Sequence, residues 1–246
     1  MDGALRARKD SLIGVLNGVD YDEWNTDHNQ HLKHTFSARS LAGKAAEKAS
    51  LQQELKLPVR ADVPLFACIT RLASQKGIEL MLGALMEMLA SDIQFVLLGT
   101  GQPVFEQAFQ RLAARFPDKT AIRIAFDQGL SHRIEAGADF FLMPSLFEPC
   151  GLNQMYSLRY GTIPIVRRTG GLEDTVTDPR DAGHANGIKF TEYSSTALSK
   201  AMRKAMVLFS ERPLLERFRH HAMTADFSWG KTSKEYERIY RQLTGG

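Results

Sequence analysis

The sequence predicts an α/β protein: a doubly wound, Rossmann-like parallel sheet with helices on both faces. Three observations predict it. From Pro64 onward, short apolar runs alternate with amphipathic segments of helix length. The runs are continuously apolar, as in Phe140–Met143 and Ile163–Val166, which indicates strands covered on both faces. Strand–helix alternation requires parallel strands joined by right-handed crossovers. Ligands in such sheets bind beyond the carboxyl ends of the strands, so the loops after the strands are where chemistry is expected.

The elements follow in order. Leu12–Leu16 reads as a short strand before the Asn17-Gly18 turn signal, and the Arg6-Arg8-Lys9 cluster reads as a solvated helix end. Residues 26–36 are polar and histidine-rich, a loop. Residues 37–57 are rich in Ala, Lys, Glu, Gln and Leu, a helix that Ser37 can cap and Pro58 ends. Leu65–Thr70 is the first strand and Ile78–Leu89 a helix in which Met81, Met86 and Met88 pack. Ile93–Leu98 is the second strand, followed by Gly99-Thr100-Gly101 and a helix over Pro103–Arg115. Ala121–Phe126 is the third strand, and Ser131 can cap a short helix ending near Gly137. Phe140–Met143 is the fourth, Leu152–Tyr160 a helix, Ile163–Val166 the fifth and Gly187–Phe190 the sixth. Helices are expected at 195–209, 211–222 and 231–243.

The totals bound the function. The chain has 246 residues, 43% hydrophobic and 24% charged, the balance of an ordinary globular protein with a sizeable core. A net charge of +3 is too small and scattered to argue for nucleic acid. No apolar run approaches the ~18 residues of a membrane helix. Two cysteines make no disulfide framework and suit a reducing cytoplasm.

Four loops carry candidate chemistry. Thr70 to Gly77 places Arg71 and Lys76 ahead of a helix, a planar fork and a point charge beside free amides, which together suit a diphosphate. Two surface cations are the plain alternative. Gly99-Thr100-Gly101 lacks the third glycine of a dinucleotide fingerprint, since Val104 stands there, and a tight turn near a nucleotide is favoured. Pro144 to Gln154 is the most specific loop. Glu148 sits at its apex, and the amides of Cys150, Gly151 and Leu152 are expected to open a helix toward an anion, with Asn153 following. A carboxylate there can hold sugar or ribose hydroxyls, or simply pair with the helix dipole. Cys150 has no His or Asp placed to make it a nucleophile, and Cys68 is core. Arg167-Arg168-Thr169-Gly170-Gly171 suits an anion or a close backbone approach, with a basic turn as the alternative.

Other features are weaker. His28, His31 and His34 recur at steps of three, but a zinc site lacks cysteines and a fourth ligand. His132 and Arg133 can touch a ligand or solvate their helix. Trp24 and Trp229 are expected to pack on the domain surface. No Asp-x-Asp pair occurs, so a metal-dependent donor site is not indicated.

The runs Leu16-Asn17-Gly18-Val19-Asp20-Tyr21-Asp22-Glu23-Trp24-Asn25, Arg71 through Gly77, Ser131-His132-Arg133-Ile134, Phe147 through Leu152, Tyr160-Gly161-Thr162, Arg167 through Leu172 and Asp226-Phe227-Ser228-Trp229 together resemble the bacterial glycogen synthases and plant starch synthases. That family consists of retaining glycosyltransferases of the two-domain GT-B fold, and the resemblance spans nearly the whole chain. It implies the C-terminal domain of that fold, transfer of glucose from ADP-glucose to the non-reducing end of an α-1,4-glucan, and no metal or other cofactor. It implies that Arg71 and Lys76 neutralise the donor diphosphate and that Glu148 is the essential acid. Cys150, Gly151, Leu152 and Asn153 would form the phosphate-binding helix start, with Gly99, Thr169, Gly170 and His132 around the donor. Phe126 matches a position where the family often has a tyrosine stacked on the base. Glu47 stands where asparagine is expected and is read as a surface change.

Family members are about twice this length and carry a Lys-x-Gly-Gly-Leu loop in a first domain. Here only Thr169-Gly170-Gly171-Leu172 occurs. The resemblance therefore implies a remnant of the first domain and interdomain segment at 1–25, a nucleotide-sugar domain at 26–225 and a crossing helix at 226–246 whose Tyr236, Ile239 and Tyr240 lose their partner. Such a piece is expected to bind donor weakly and not to elongate glucan alone. Two readings compete: an NAD-binding Rossmann module, with Asp127 as its ribose acid, and a non-catalytic glucan-binding module.

Overall fold

The computed structural model describes residues 2–181 and 183–244. Six strands form one sheet: β1 (Leu65–Ile69), β2 (Gln94–Leu98), β3 (Thr120–Arg123), β4 (Phe140–Met143), β5 (Ile163–Arg167) and β6 (Ile188–Phe190). Their order is β3-β2-β1-β4-β5-β6 and every pairing is parallel. The helices are α1 (Asp2–Ala7), α2 (Ala42–Glu54), α3 (Ile78–Met88), α4 (Pro103–Arg115), α5 (Gln128–Gly137), α6 (Asn153–Arg159), α7 (Gly170–Thr175), α8 (Ser195–Ser210), α9 (Arg212–Thr224) and α10 (Trp229–Thr244). The chain runs outward from β1 to β3, returns to lay β4 beside β1, and runs outward again. The carboxyl ends of β1 and β4 therefore flank a crevice at the point where the strand order reverses, the place such sheets bind ligands.

Strand geometry sorts the core. Leu65, Ala67, Val96, Leu98 and Phe141 face α2 and α5, through Leu51, Leu130 and Ile134. Phe66, Cys68, Phe95, Leu97, Phe140, Leu142, Ile163 and Ile165 face the opposite way, against α3, α4, α8 and α9. Cys68 is buried, and that burial pushes its thiol well above its usual range.

Several sequence expectations are corrected. Leu12–Leu16 pairs with no strand, and Leu12 and Ile13 are exposed. Ser37 does not cap a helix; it closes a tight bridge with Ser40, and α2 starts only at Ala42. Asp127, not Ser131, caps α5 by accepting the Leu130 N–H at 2.8 Å. β3 stops at Arg123, so Phe126 lies in the following loop. The short α7 shows no period in so few residues. Met86 is exposed rather than packed, while Trp229 lies against Gly18 with half of its surface exposed.

The largest correction concerns α2. Lys44, Glu47 and Lys48 are all buried, so Glu47 is no surface change: its Oε1 accepts the His34 N–H at 2.5 Å. Lys48 reaches Asp139, which also accepts from Arg219 and from the Leu65 N–H. This knot lies at the amino ends of β1 and β4, opposite the crevice.

The segment before α2 is bound to the end of the chain. Val19 and Ser228 form a parallel bridge, Val19 N–H donates to Phe227 O at 2.7 Å, and Tyr21 Oη accepts from Phe227 N–H at 2.8 Å. Tyr236, Tyr240 and Leu243 on α10 are exposed.

Candidate active site

The loop after β1 turns sharply at Gly77. Its φ of 72° lies in the left-handed region, and a Cβ there would come within 2.1 Å of Pro144 O, so only glycine lets this loop meet the one after β4. Two hydrogen bonds stitch the loops: Leu146 N–H to Gln75 O at 2.8 Å and Gln75 Nε2 to Phe147 O at 3.2 Å. The result brings Lys76 Nζ to 2.5 Å from Glu148 Oε2, with Ser145 Oγ donating to the same oxygen at 3.2 Å. Glu148 is only 7% exposed, while Arg71 is exposed and its guanidinium makes no hydrogen bond or ion pair among the described residues.

These residues line a cavity of about 340 Å³ with Gly151, Leu152 and Asn153. A second cavity of about 470 Å³ adjoins it, lined by Gly99, Phe126, Asp127, Trp24, Tyr156 and Glu135 among others. Arg71 and Asn153 line both, so the two form one trough along the crevice. Asn153 is fixed there by its Nδ2, which donates to Ile69 O at 2.7 Å. The amides of Cys150, Gly151 and Leu152 are used by no turn or loop hydrogen bond among the described residues, and they precede α6. Phe126, 92% exposed at the rim of the larger cavity, is an aromatic face with no ring partner among the described residues. A large apolar side chain this exposed is a feature that a ligand stacking on it would explain.

Four of the proposed donor residues sit behind the trough, lining neither cavity. Cys150 is half-buried, and its carbonyl accepts from Gln154. Thr169 and Gly170 lead into α7, where Gly171 N–H donates to Glu148 O at 3.1 Å, so this turn props the Glu148 loop. His132 is buried and stacks on Trp24 at 4.1 Å, which in turn stacks on Tyr156 at 3.7 Å. Burial first, then the charges of His31 and Arg133, pull the His132 pKa down to about 4, so the ring is neutral at pH 7.

The arginines after β5 are not free for an anion. Arg167 donates to the carbonyls of Ser145 and Leu146, and Arg168 pairs with Glu173 and Asp181 at 2.7 Å each. The Gly99–Gly101 turn is closed by its own helix, because Glu106 accepts from Thr100 Oγ1 at 2.6 Å and from Gly101 N–H at 2.9 Å. A carboxylate there opposes a pyrophosphate, which weighs against the dinucleotide reading. Among the described residues no cluster of His, Cys, Asp or Glu can hold a metal ion; His31 stacks on His132, and His28 pairs with Asp27.

Sequence reasoning missed Glu23, Trp24, Tyr156 and Glu135 as wall residues. Trp24 precedes β1 by some 40 residues, and the nearby Val19–Ser228 bridge and the stacks on His132 and Tyr156 carry it back to the sheet. Glu135 gave no signal because a polar residue on a helix is ordinarily read as solvated.

Known proteins share this fold. The family model described as glycosyl transferases group 1 matches residues 52–222. A glycogen synthase of Anaeromyxobacter sp. (strain Fw109-5) is 53% identical over 243 residues, covering 99% of this chain and 51% of that protein. A solved structure, the catalytic domain of starch synthase IV from Arabidopsis thaliana bound to ADP and acarbose, is 36% identical with a TM-score of 0.93, covering 99% of this chain and 51% of that one. The C-terminal domain of a group 1 glycosyl transferase from Francisella tularensis, at 17% identity and a TM-score of 0.61, shares the fold. The chain spans about half the length of the curated relatives it matches. With the family model covering well over half of its residues, around a doubly wound sheet whose switch-point trough holds Arg71, Lys76 and Glu148, the chain belongs to the group 1 glycosyl transferases.

Proposed function

We propose that the chain is the donor-binding half of a glycogen or starch synthase, which moves glucose from ADP-glucose to the non-reducing end of an α-1,4-glucan with retention. The observation that carries this is the trough itself. Arg71, Lys76 and unused amides meet at the switch point, beside a cavity rimmed by a bare phenylalanine. The relatives are named glycogen synthases, and the Arabidopsis structure holds ADP and acarbose.

In this reading the base rests on Phe126 beside Gly99, and the diphosphate lies between Arg71, Lys76 and the amides of Gly151 and Leu152. As the glucosyl bond breaks, negative charge grows on the departing diphosphate. Cations already fixed in place stabilise it without reorganising. Glu148 holds Lys76 in position until the diphosphate shares it, and offers a carboxylate to sugar hydroxyls. Thr169, Gly170 and Cys150 act by holding the Glu148 loop, and His132 by backing Trp24. Segments 1–25 and 226–246 are the crossings to a preceding domain, with the exposed tyrosines of α10 facing it. That domain closes the site against water and supplies most of the acceptor surface. Neither nucleic acid nor membrane is proposed as a partner; no described helix is long and apolar enough to cross a bilayer. Two unpaired cysteines favour the cytoplasm.

Calorimetry on this chain tests the reading. ADP and ADP-glucose are expected to bind, UDP-glucose more weakly and NAD not at all. NAD binding with no ADP-glucose binding would replace it with the dinucleotide alternative.

A further inference from the structure

Glu135 is wholly buried, yet it belongs to the lining of the larger cavity. Its Oε2 lies 2.8 Å from Ser157 Oγ, and Ser157 Oγ lies 2.8 Å from the Asn153 carbonyl. Its Oε1 has no partner among the described residues. A serine hydroxyl carries one proton, so it cannot donate to both neighbours. Both contacts are satisfied only if Glu135 carries its own proton: the carboxyl donates to Ser157, and Ser157 donates to Asn153 O. An ionised Glu135 would instead draw the Ser157 proton away from Asn153. Among the described residues no cation pairs directly with the carboxyl. Lys44 donates to Thr162 Oγ1 at 2.7 Å and to the backbone carbonyls of Ala136 and Glu135, not to the Glu135 side chain.

We propose that Glu135 is a positioning residue for the donor trough, working as a neutral acid that holds Asn153, through Ser157, at the junction of the two cavities. The inference rests on the donor-site reading above. Burial, against the Ser157 hydrogen bond and the Lys44 charge, pushes the Glu135 carboxyl up to about 8, in accord with the proton count. The groups around it are Lys44 on α2, Cys68 on β1, Tyr156 on α6 and Tyr160 just after it, while Glu23 from the loop before α2 and Arg71 line the same cavity. Burial raises Cys68, Tyr156 and Tyr160 out of the neutral range, while it lowers Lys44. Lys44 is therefore the neighbour whose titration must be told apart.

The test is a pair of measurements on the wild type and Glu135→Gln, which keeps an N–H donor at every pH. The first is Tm against pH. A folded-state carboxyl raised above its ordinary 4.5 adds stability that is full below that value and lost as pH rises toward 8. The wild type should lose about 5–10 °C relative to Glu135→Gln between pH 5 and 8, and nothing further above that. The second is the Kd for ADP from pH 7.5 to 9, above the phosphate titration near about 6. With about one tenth of the protein still protonated at pH 9, the wild-type Kd should rise by up to about tenfold while Glu135→Gln stays flat. Ser157→Ala, which cuts the relay and leaves the carboxyl, should also be flat.

A Tm difference that does not change with pH would overturn the proposal, because Glu135 would then be ionised throughout. An equal rise of Kd in wild type and Glu135→Gln would also overturn it and point to Lys44. Absence of ADP binding at any pH sinks the donor-site reading and this proposal together, while the melting curves still report the proton on Glu135.

Discussion

Replacing Arg71 with alanine raises the Kd for ADP by about 10- to 100-fold, the loss of one to two charge-assisted hydrogen bonds, as calorimetry would measure it. The same variant melts within about 2 °C of the wild type, because Arg71 is exposed and its guanidinium has no partner among the described residues. Lys76→Ala behaves differently. Lys76 neutralises Glu148, which is 7% exposed, so its removal leaves a nearly buried carboxylate with only Ser145 as partner. That variant should lose about 1–3 kcal/mol of stability as well as ADP affinity. The two variants thus separate a residue waiting for an anion from one already built into the loop. Arg71→Lys should rescue only part of the loss, since an ammonium cannot grip two phosphate oxygens as a planar fork does.

The second large effect lies at the other rim of the sheet. Asp139→Asn should destabilise the fold by about 3–5 kcal/mol, because it leaves Lys48 and Arg219 facing each other across a buried site. Burial alone would raise the Asp139 carboxyl, but Lys48, Arg219 and the Leu65 N–H outweigh it and hold it below its ordinary value. A depressed carboxyl stabilises the fold above its unfolded pKa and loses that contribution as pH falls through the folded one. The wild type should therefore approach the stability of Asp139→Asn only in strong acid. At pH 7 a thermal melt should show a drop of about 10 °C or more. ADP affinity of the folded fraction should hardly change, since the knot lies at the amino ends of the strands.

The contrast between these two regions explains what the sequence discloses. The central strands β1, β2, β4 and β5 are legible because each is built on an apolar run bounded by turn residues, and the loops after β1 and β4 carry Arg71, Lys76 and Glu148 in plain view. Strand order is not written locally, yet alternation alone implies a doubly wound sheet, and the observed order puts the loops after β1 and β4 side by side. The polar interior was illegible. Lys44, Glu47 and Lys48 look like one solvated helix face, and only the tertiary partners Thr162, His34 and Asp139 make them interior residues. The same blindness hid Glu135. His132 misled in the opposite way: a histidine in a loop-end helix invites a ligand, while the structure uses it as a packing ring under Trp24. The arginines after β5 invite an anion for the same reason and are spent on backbone carbonyls and carboxylates.

The central claim is that one diphosphate is gripped jointly by Arg71, Lys76 and the amides before α6. The measurement that bears on it most directly is a crystal structure of this chain soaked with ADP. Phosphate oxygens should lie about 2.7–2.9 Å from the Arg71 guanidinium and Lys76 Nζ, with further contacts to the Gly151 and Leu152 amides. A diphosphate seated instead at the Gly99–Gly101 turn, with Lys76 still closed on Glu148 and Arg71 turned to solvent, would contradict it.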